Sequence, residues 1–433
     1  MRRVNSFVAG LVSITLLLAA GCAAPEPAAP QAPAATVFEG ARLIVGDGSA
    51  PIEDSAFIVQ NNRFTAVGQR GQITVPEGAT RVDLTGKTVM PAIIDSHKHL
   101  AIEREALVTQ LEHLAYYGIG VAASLGQDTG DVAYQVRDET IPNAARLRTA
   151  GRGITRPEKG RTEAPYWVDT EEQARTAVRE NAAKKVDLIK IWVDDRNGMF
   201  PKLTPALYRA VIDEAHKNNL RVTAHVFTLE DTKGLLRAGL DAFAHVGVRD
   251  KDIDAEGLAL FKERPNVMLV PNLPDRGVAV DMSFISETVP AEEVKRIQDG
   301  ATDRPPAQQT FGIQARNLAK LNEAGTKIAF GTDGPVAWAA HVEMADMVAA
   351  GMTPAQVIVA ATRNSADILG LTDVGAVQAD KSADFLVLDA NPLDDITNTR
   401  KINTVYLRGT AVDRAAIKAK LTAPAPAPAP ASN

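Results

Sequence analysis

The sequence predicts an α/β protein built as a TIM (β/α)8 barrel, with β-rich segments on both sides of the barrel. Between Thr88 and about Leu369, short apolar runs alternate with helical patterns, and the eight runs match the strand number of a TIM barrel. The runs are apolar along nearly their whole length, as expected of parallel strands that are buried on both faces. A doubly wound open sheet is the competing architecture.

The first residues are expected to lie outside the fold. Arg2 and Arg3 precede the apolar run "FVAGLVSITLLLAA", which has the length of a signal-peptide core and is short for a transmembrane helix. The run ends at "LAAGC", where Cys22 is the only cysteine of the chain. Residues 1–22 therefore resemble a bacterial lipoprotein signal, which implies lipidation of Cys22, export, and a membrane lipid anchor in the periplasm or cell envelope. An ordinary secretory signal is the competing interpretation.

Two proline- and alanine-rich segments enclose the expected folded part. Residues 23–35, "AAPEPAAPQAPAA", form a predicted tether, and residues 416–433, which contain "APAPAPAPA", form a predicted tail. Residues 36–87 and 371–415 hold strand-like runs such as "SAFIVQNNRFTAVG" and "ADFLVLDA", separated by turn residues. Residues 88–370 are the predicted barrel.

The predicted barrel strands and helices follow from the hydrophobic pattern. Helical patterns with capping residues at their ends include "TEEQARTAVRENAAKK", "TPALYRAVIDEAHKNN" and "TFGIQARNLAKLNEAG". The predicted strands are "VMPAIID", "GVAASLG", "ARLRTAG", "VDLIKIWV", "RVTAHV", "DAFAHV", "VMLVPNL" and "KIAFGTD". In a TIM barrel the carboxyl ends of all these strands meet at one mouth, where active sites lie.

Charge and cysteine content exclude some functions. The formal net charge is -6 at pH 7, which argues against nucleic acid as a partner because binding phosphates requires a basic face. A single cysteine cannot form an intramolecular disulfide.

Two histidines end the first predicted strand, in "TVMPAIIDSHKHL". Alternation along a strand puts His97 and His99 on one face and Lys98 on the other, where Lys98 is expected to point outward as a spacer. Two imidazoles on one face can bind a common metal ion. The pair alone is weak evidence, since two partly exposed polar histidines would give the same pattern.

Ionisable residues recur in four other predicted strands. Burying each of them alone would be costly, so they are expected to meet at the mouth of the barrel. The resulting set is that of a metal site, and it comprises His97, His99, Lys190, His225, His245 and Asp333. A lysine suits such a site if carbon dioxide converts its amine to a carbamate that bridges two divalent metal ions. The competing interpretation of Lys190 is a salt bridge with Asp194 or Asp195.

The loops after the strands are expected to supply the substrate contacts. The candidates are Trp192, Asp194, Arg249, Asn272 and His341, and for His341 a purely structural role in its loop is equally open. The insert from Pro274 to Pro306 is expected to cover the mouth. His113 and His216 lie within helical patterns and are predicted to be packing or surface residues.

Six motifs carry a family resemblance: "MPAIIDSHKH", "VDLIKIW", "TAHV", "DAFAHV", "AFGTDG" and "MTPAQVIVAATRNSADILGL". Together they resemble the amidohydrolase superfamily, and within it the imidazolonepropionase-like group that includes metal-dependent Xaa-Pro dipeptidases. The resemblance runs from about Val37 to Val412. It implies that both β flanks join into one small β-sandwich beside the barrel. Two departures, Ala92 in place of the usual glycine and "VQADKSADF" without the usual Pro-Gly, touch no implied ligand.

The resemblance also implies a role for each member of the set. His97 and His99 would bind the more buried of two metal ions, and His225 and His245 the second. Carboxylated Lys190 would bridge the ions. Asp333 would bind the first ion and accept a proton from the bridging water. Zinc is the expected metal, although such sites accept other divalent ions.

The activity implied is hydrolysis of an amide or dipeptide-like C–N bond in a small substrate by a metal-activated bridging hydroxide. Deamination is a weaker candidate, because Lys190 is present and Glu230 lies five positions beyond His225. Lactone or ester hydrolysis by the same metal site also remains open, as does an inactive tethered binding lipoprotein. The oligomeric state is left open, with a homo-oligomer among the options.

Overall fold

The structure, a computed structural model, describes residues 35–423. The predicted signal peptide with Cys22, nearly all of the tether and the last ten residues lie outside the described residues. Among the residues that are described, no helix is long and apolar enough to cross a membrane.

The strands alternate with helices through the middle of the chain and cluster near its two ends. In chain order the strands are β1 (Thr36–Glu39), β2 (Arg42–Leu43), β3 (Ser55–Gln60), β4 (Arg63–Gln69), β5 (Thr80–Asp83), β6 (Thr88–Pro91), β7 (Ile93–Lys98), β8 (Ile119–Ser124), β9 (Arg146–Thr149), β10 (Ile154–Thr155), β11 (Tyr166–Trp167), β12 (Ile189–Val193), β13 (Val222–Val226), β14 (Ala242–Ala244), β15 (Met268–Val270), β16 (Lys327–Ile328), β17 (Phe385–Leu388), β18 (Ile402–Leu407) and β19 (Thr410–Ala411).

The α-helices, in chain order, are α1 (Arg104–Tyr116), α2 (Val132–Arg137), α3 (Glu171–Ala183), α4 (Pro205–Lys217), α5 (Leu229–Ala238), α6 (Ala255–Glu263), α7 (Ala291–Gly300), α8 (Pro305–Glu323), α9 (Ala339–Ala349), α10 (Pro354–Val359), α11 (Ser365–Ile368) and α12 (Arg414–Thr422). Short 3-10 turns lie at Ser283–Ile285 and Ile396–Arg400, and a π-helical turn at Ala360–Asn364 joins α10 to α11. The three helices that the sequence pattern predicts most clearly are α3, α4 and α8.

All eight predicted barrel strands form, and they pair in parallel. They lie in a three-stranded sheet of order β7-β8-β9 and a seven-stranded sheet of order β11-β10-β12-β13-β14-β15-β16. The Ser96 backbone N–H donates to the Phe330 carbonyl at 2.9 Å, and that of Asp187 donates to the Thr149 carbonyl at 2.9 Å. The first bond joins β7 to the residues after β16, and the second joins β9 to the residues before β12, so backbone hydrogen bonds connect the two parallel sheets at two places.

The β-rich flanks share their strands. One sheet has the order β4-β3-β1-β5, and the other, β19-β18-β17-β6-β2, combines strands from both flanks. Packed aromatic rings fill the space between the sheets, with Phe38 stacked on Phe57 at 5.0 Å and Phe385 stacked on Tyr406 at 4.5 Å between ring centroids. The β-strands of the two ends thus form one two-sheet unit, as the resemblance implies.

Two predicted boundaries differ from the structure. The run "VMPAIID" forms two strands instead of one, because the chain leaves the mixed sheet after β6 and enters the parallel sheet with β7. The predicted tail at 416–433 is helical as far as Thr422. The Asp413 carboxylate accepts from the Ala416 N–H at 2.9 Å and Ile417 is buried, so α12 is both capped and packed.

Candidate metal centre

The six residues of the predicted metal site lie together at the carboxyl ends of the parallel strands. His97 lies in β7, Lys190 in β12 and His225 in β13. His99, His245 and Asp333 each follow the end of a strand. Strand direction alone brings these side chains together, because parallel strands end on the same side of their sheet.

Asp333 joins the two histidines of the first strand. Its Oδ1 atom lies 3.0 Å from His99 Nε2 and 3.1 Å from His97 Nε2. The ligand atoms of these three residues all lie within 4.8 Å of one another. Burial alone would raise the pKa of Asp333, but His97, His99 and His245 lower it, and the net shift is strongly downward. Asp333 is therefore an anion at neutral pH.

Lys190 extends this group toward the second pair of histidines. Its Nζ atom is fully buried and lies 2.8 Å from His97 Nε2. None of the ion pairs among the described residues joins Lys190 to Asp194 or Asp195, so the salt bridge of the competing interpretation is not observed. Burial lowers the pKa of Lys190 to about 7. A substantial fraction of this lysine is thus the neutral amine, which is the form that reacts with carbon dioxide.

His225 and His245 form the second pair. His225 Nδ1 lies 2.9 Å from His245 Nε2, with the ring planes nearly perpendicular. Burial lowers the pKa of both imidazoles, that of His225 to about 3. Both rings are therefore neutral near pH 7, as metal ligation requires.

Outer hydrogen bonds fix which nitrogen of two of the rings, those of His97 and His225, faces the centre. Asn272 Oδ1 lies 2.7 Å from His97 Nδ1, which leaves His97 Nε2 free to act as a ligand. Asp194 Oδ2 lies 3.0 Å from His225 Nε2, which leaves Nδ1 of that ring free. Such outer partners orient ligating histidines and fix their tautomers.

Asp194 is itself held by a chain of ion pairs. Arg196 Nη1 lies 2.6 Å from Asp194 Oδ2, and Arg196 Nε lies 3.1 Å from the buried Glu158 carboxylate. Burial alone would raise the pKa of Asp194, but His225 and Arg196 lower it well below its ordinary value. The sequence signal for this network is the charged run "DDR" directly after β12, although neither Arg196 nor Glu158 was among the predicted site residues.

Three of the predicted substrate contacts are engaged by protein atoms. Asn272 is occupied with His97. Trp192 is only 5% exposed, and its ring packs so closely against Gly126 and Gly153 that a methyl group at either glycine would collide with it. His341 lies in α9, fully enclosed, with its ring nitrogens 3.0 Å from Thr399 Oγ1 and 3.1 Å from the Tyr117 carbonyl. His341 therefore has the structural role, not a substrate contact.

Arg249 remains at the mouth of the site. Its guanidinium is stacked 3.0 Å from the ring centroid of Phe227, which in turn packs against His225 and His245. Partial burial lowers the pKa of Arg249 to about 10, so it stays charged at neutral pH. It is a cation beside the two-histidine end of the centre.

Three residues of the centre have a left-handed backbone. Asp333, His245 and Asn272 have φ values of 55°, 88° and 44°, in the left-handed region that residues with a side chain rarely adopt. Gly331 has a different constraint, because a Cβ atom there would lie 2.6 Å from the Cβ atom of His97. Strained residues of this kind persist where the surrounding structure fixes them, commonly at functional sites.

The predicted exposure of Lys98 is not observed. It faces away from the histidines, as strand alternation requires, but it is fully buried and does not point outward. The prediction was wrong because residues after β16 cover this face of β7, and alternation along one strand does not show what lies behind it.

A cavity of about 290 Å³ lies beside the centre, between the 274–306 insert and α9. It is bordered by Leu273 and Thr332, the neighbours in sequence of Asn272 and Asp333. Its other walls are mostly apolar, including Val280, Met282, Ile297, Trp338 and Val342. The insert thus forms one wall of a space next to the strand ends, while its predicted covering of the mouth remains a prediction.

The fold and the centre together place this chain in a class of α/β proteins. These proteins carry histidines, a lysine and an aspartate at the carboxyl ends of parallel strands. The model of the Amidohydrolase family matches residues 88–412. The chain belongs to the amidohydrolase family.

Characterised relatives and a solved structure agree with this assignment. Ochratoxinase of Aspergillus niger is 24% identical over 422 residues, covering 83% of this chain and 82% of that protein. Imidazolonepropionase of Deinococcus radiodurans is 25% identical over 387 residues, covering 83% of this chain and 92% of that protein. The structure of a Xaa-Pro dipeptidase with bound methionine in its active site matches 87% of this chain and 99% of its own, with a TM-score of 0.70 and 24% identity. At that identity the structural match supports the fold.

Proposed function

We propose that the protein is a metal-dependent hydrolase that cleaves a C–N bond, of the amide or dipeptide type, in a small substrate. The observation that carries this proposal is the convergence of four histidines, an aspartate and a buried lysine at one set of strand ends. A binding protein would have no need to bring six ionisable groups together at one site. Membership in the amidohydrolase family and similarity to a dipeptidase support the choice of a C–N bond.

The donor set fits two divalent ions, with zinc as the expected metal. Neutral imidazole nitrogens and a carboxylate are the ligands that zinc prefers, and the donor atoms already lie about 3 Å apart, as ligands of a common ion do. His97, His99 and Asp333 would hold one ion, and His225 and His245 the other. Lys190, as a carbamate, would bridge them. When bound, the ions would supply an activated water and polarise the scissile carbonyl.

The chain's own residues provide binding and proton transfer. Asp333 Oδ1 contacts the two histidines, while Oδ2 lies 3.6 Å from His245 Nε2 and is free to take a proton from the attacking water. Asp333 would then give this proton to the leaving nitrogen, as a general acid–base group does. Asp194 and Asn272 keep the ligand nitrogens pointed at the centre.

The finer architecture and location are also part of the proposal. We infer that β7, β8 and β9 close with β12, β13, β14, β15 and β16 into one eight-stranded barrel, because backbone hydrogen bonds link the two sheets at two places. We also propose that the protein is a lipoprotein of the cell envelope, anchored through Cys22. Palmitate labelling of the full-length protein tests this, and a Cys22→Ala variant that still takes up the label and stays in the membrane fraction would contradict it.

Metal analysis combined with a substrate panel tests the function. We expect about two divalent ions per chain and hydrolysis of a member of a panel of dipeptides, N-acyl amino acids and lactones. A chelator should abolish this activity, and zinc should restore it. A folded, metal-free protein that hydrolyses none of the panel would overturn the proposal, and exclusive cleavage of lactones would replace the C–N bond with an ester bond.

Arg249 offers a test of substrate orientation. A guanidinium at the mouth can hold a substrate carboxylate by paired hydrogen bonds. We expect Arg249→Met to raise KM for substrates with a carboxylate about 10- to 100-fold, with kcat little changed, because the contact is made equally in the ground state and the transition state. The amidated forms of the same substrates are the control, since their KM should not change. Equal effects on both forms would exclude this role.

A further inference from the structure

Lys98 is a buried lysine that the proposed chemistry does not use. It lies in β7 between the two histidines, and its side chain points to the opposite face of the strand. It is 0% exposed. An ammonium group in such a place requires partners that satisfy its hydrogen bonds.

Its partners belong to the segment that carries Asp333. Lys98 Nζ donates to Thr332 Oγ1 at 2.8 Å and to the Val336 carbonyl at 2.9 Å. Lys98 therefore holds both ends of the 332–336 segment, and Asp333 lies between these two attachment points.

Asp95 completes the network from the same strand. Its Oδ2 atom accepts from Thr332 Oγ1 at 2.8 Å, and its Oδ1 atom accepts from the backbone N–H groups of Thr332 and His97, both at 3.2 Å. The Thr332 hydroxyl thus accepts a hydrogen bond from Lys98 and donates its single proton to Asp95. Lys98 Nζ lies 3.6 Å from Asp95 Oδ2, so the two charges also compensate each other.

This network has a geometric consequence for the centre. Asp333 has a left-handed backbone with φ of 55°, and its N–H donates to the His97 carbonyl at 2.8 Å. Its carboxylate meets the two histidines of β7 only if the 332–336 segment stays against that strand. Lys98, the side chain between these two histidines, is the group that attaches the far end of the segment, at Val336, as well as Thr332.

We propose that Lys98 is a positioning residue of the metal centre, which acts through Thr332 and Val336 to hold Asp333 against His97 and His99. It does not touch the metal or the substrate. The inference rests on the proposed metal-dependent function. A hydrophobic residue at position 98 could fill the same space but could not make this attachment.

The test compares Lys98→Met with wild type in metal binding. We expect the affinity for zinc, measured by chelator competition on the purified protein, to fall about 10- to 100-fold, the usual effect of losing an outer partner of a metal ligand. kcat should fall while KM changes little. Lys233→Met is the matched control, because Lys233 of α5 is also buried and pairs at 2.6 and 2.7 Å with Asp254 and Glu256, which are not part of the centre. This control should lower thermal stability but keep zinc affinity.

A second pair of variants keeps the test decisive if Lys98→Met fails to fold. Thr332→Val removes the hydroxyl between Lys98 and Asp95 at nearly constant volume, and it should weaken zinc binding in the same way. Thr332→Ser keeps the hydroxyl and should retain wild-type affinity. Wild-type zinc affinity in Lys98→Met or Thr332→Val, even with lower stability, would overturn the positioning role. Failure of wild type to bind any metal would instead overturn the proposed function.

Discussion

Replacing Lys190 with alanine is expected to remove one metal ion and most of the activity. Lys190 Nζ lies next to His97 and between the two groups of ligands, so its carbamate would be the bridging ligand. Removing the bridging ligand should cost several kcal/mol of transition-state stabilisation. This cost corresponds to a fall of about 10²- to 10³-fold in kcat/KM. Metal content per chain and kcat/KM are the measurements.

Chemical rescue separates the carbamate from other roles of Lys190. A short carboxylic acid such as propionate can occupy the space of the missing side chain and supply the anionic oxygens, so it should restore part of the metal content and part of the rate. Bicarbonate is a second candidate. Lys202→Ala, at a partly exposed lysine paired with Asp231, is the control that should behave as wild type. Full activity and two metal ions in Lys190→Ala would reject the carbamate.

Replacing Asp333 with asparagine is expected to produce the second large effect. Asparagine has nearly the same shape but cannot take a proton from the attacking water. Loss of a general acid–base group lowers kcat by about 10²- to 10⁴-fold, and KM should change less. The strongly lowered pKa of Asp333 means that its carboxylate form is already complete in mildly acidic solution.

Metal content distinguishes the two roles of Asp333. Loss of activity with the metal retained would indicate proton transfer as the main role, whereas loss of both would indicate ligation. Asp213→Asn changes an exposed carboxylate of α4 that pairs with Lys217, and it should keep wild-type kinetics. Asp333→Asn with wild-type kcat would contradict both roles.

The positions of the six central residues could be predicted because one rule covers them all. Parallel strands end on one side of a sheet, so ionisable residues at the ends of apolar runs must come together. The eight runs were found correctly for the same reason: each is buried and nearly continuous in hydrophobicity.

The errors arose where contacts come from other parts of the chain. Alternation correctly turned Lys98 away from the histidines, but only the packing of the 332–336 segment shows that this face is enclosed. His341 was placed in a loop because the pattern after "AFGTDG" does not show where α9 begins. Asn272 and Trp192 follow or end strands, as substrate-binding residues do, yet their side chains contact His97 and two glycines. The sequence pattern gives the face of a strand, not the identity of the neighbour.

The mixed β-sheet sets an order for the assembly of the whole chain. β6 pairs with β17, which is synthesised roughly three hundred residues later, and β6 leads directly into the strand that carries His97. Until that distant strand is available, β6 presents an open edge of the kind that recruits other chains and causes aggregation. We therefore expect chains truncated before residue 385 to aggregate, and completion of the strand that carries His97 to be among the last events of folding.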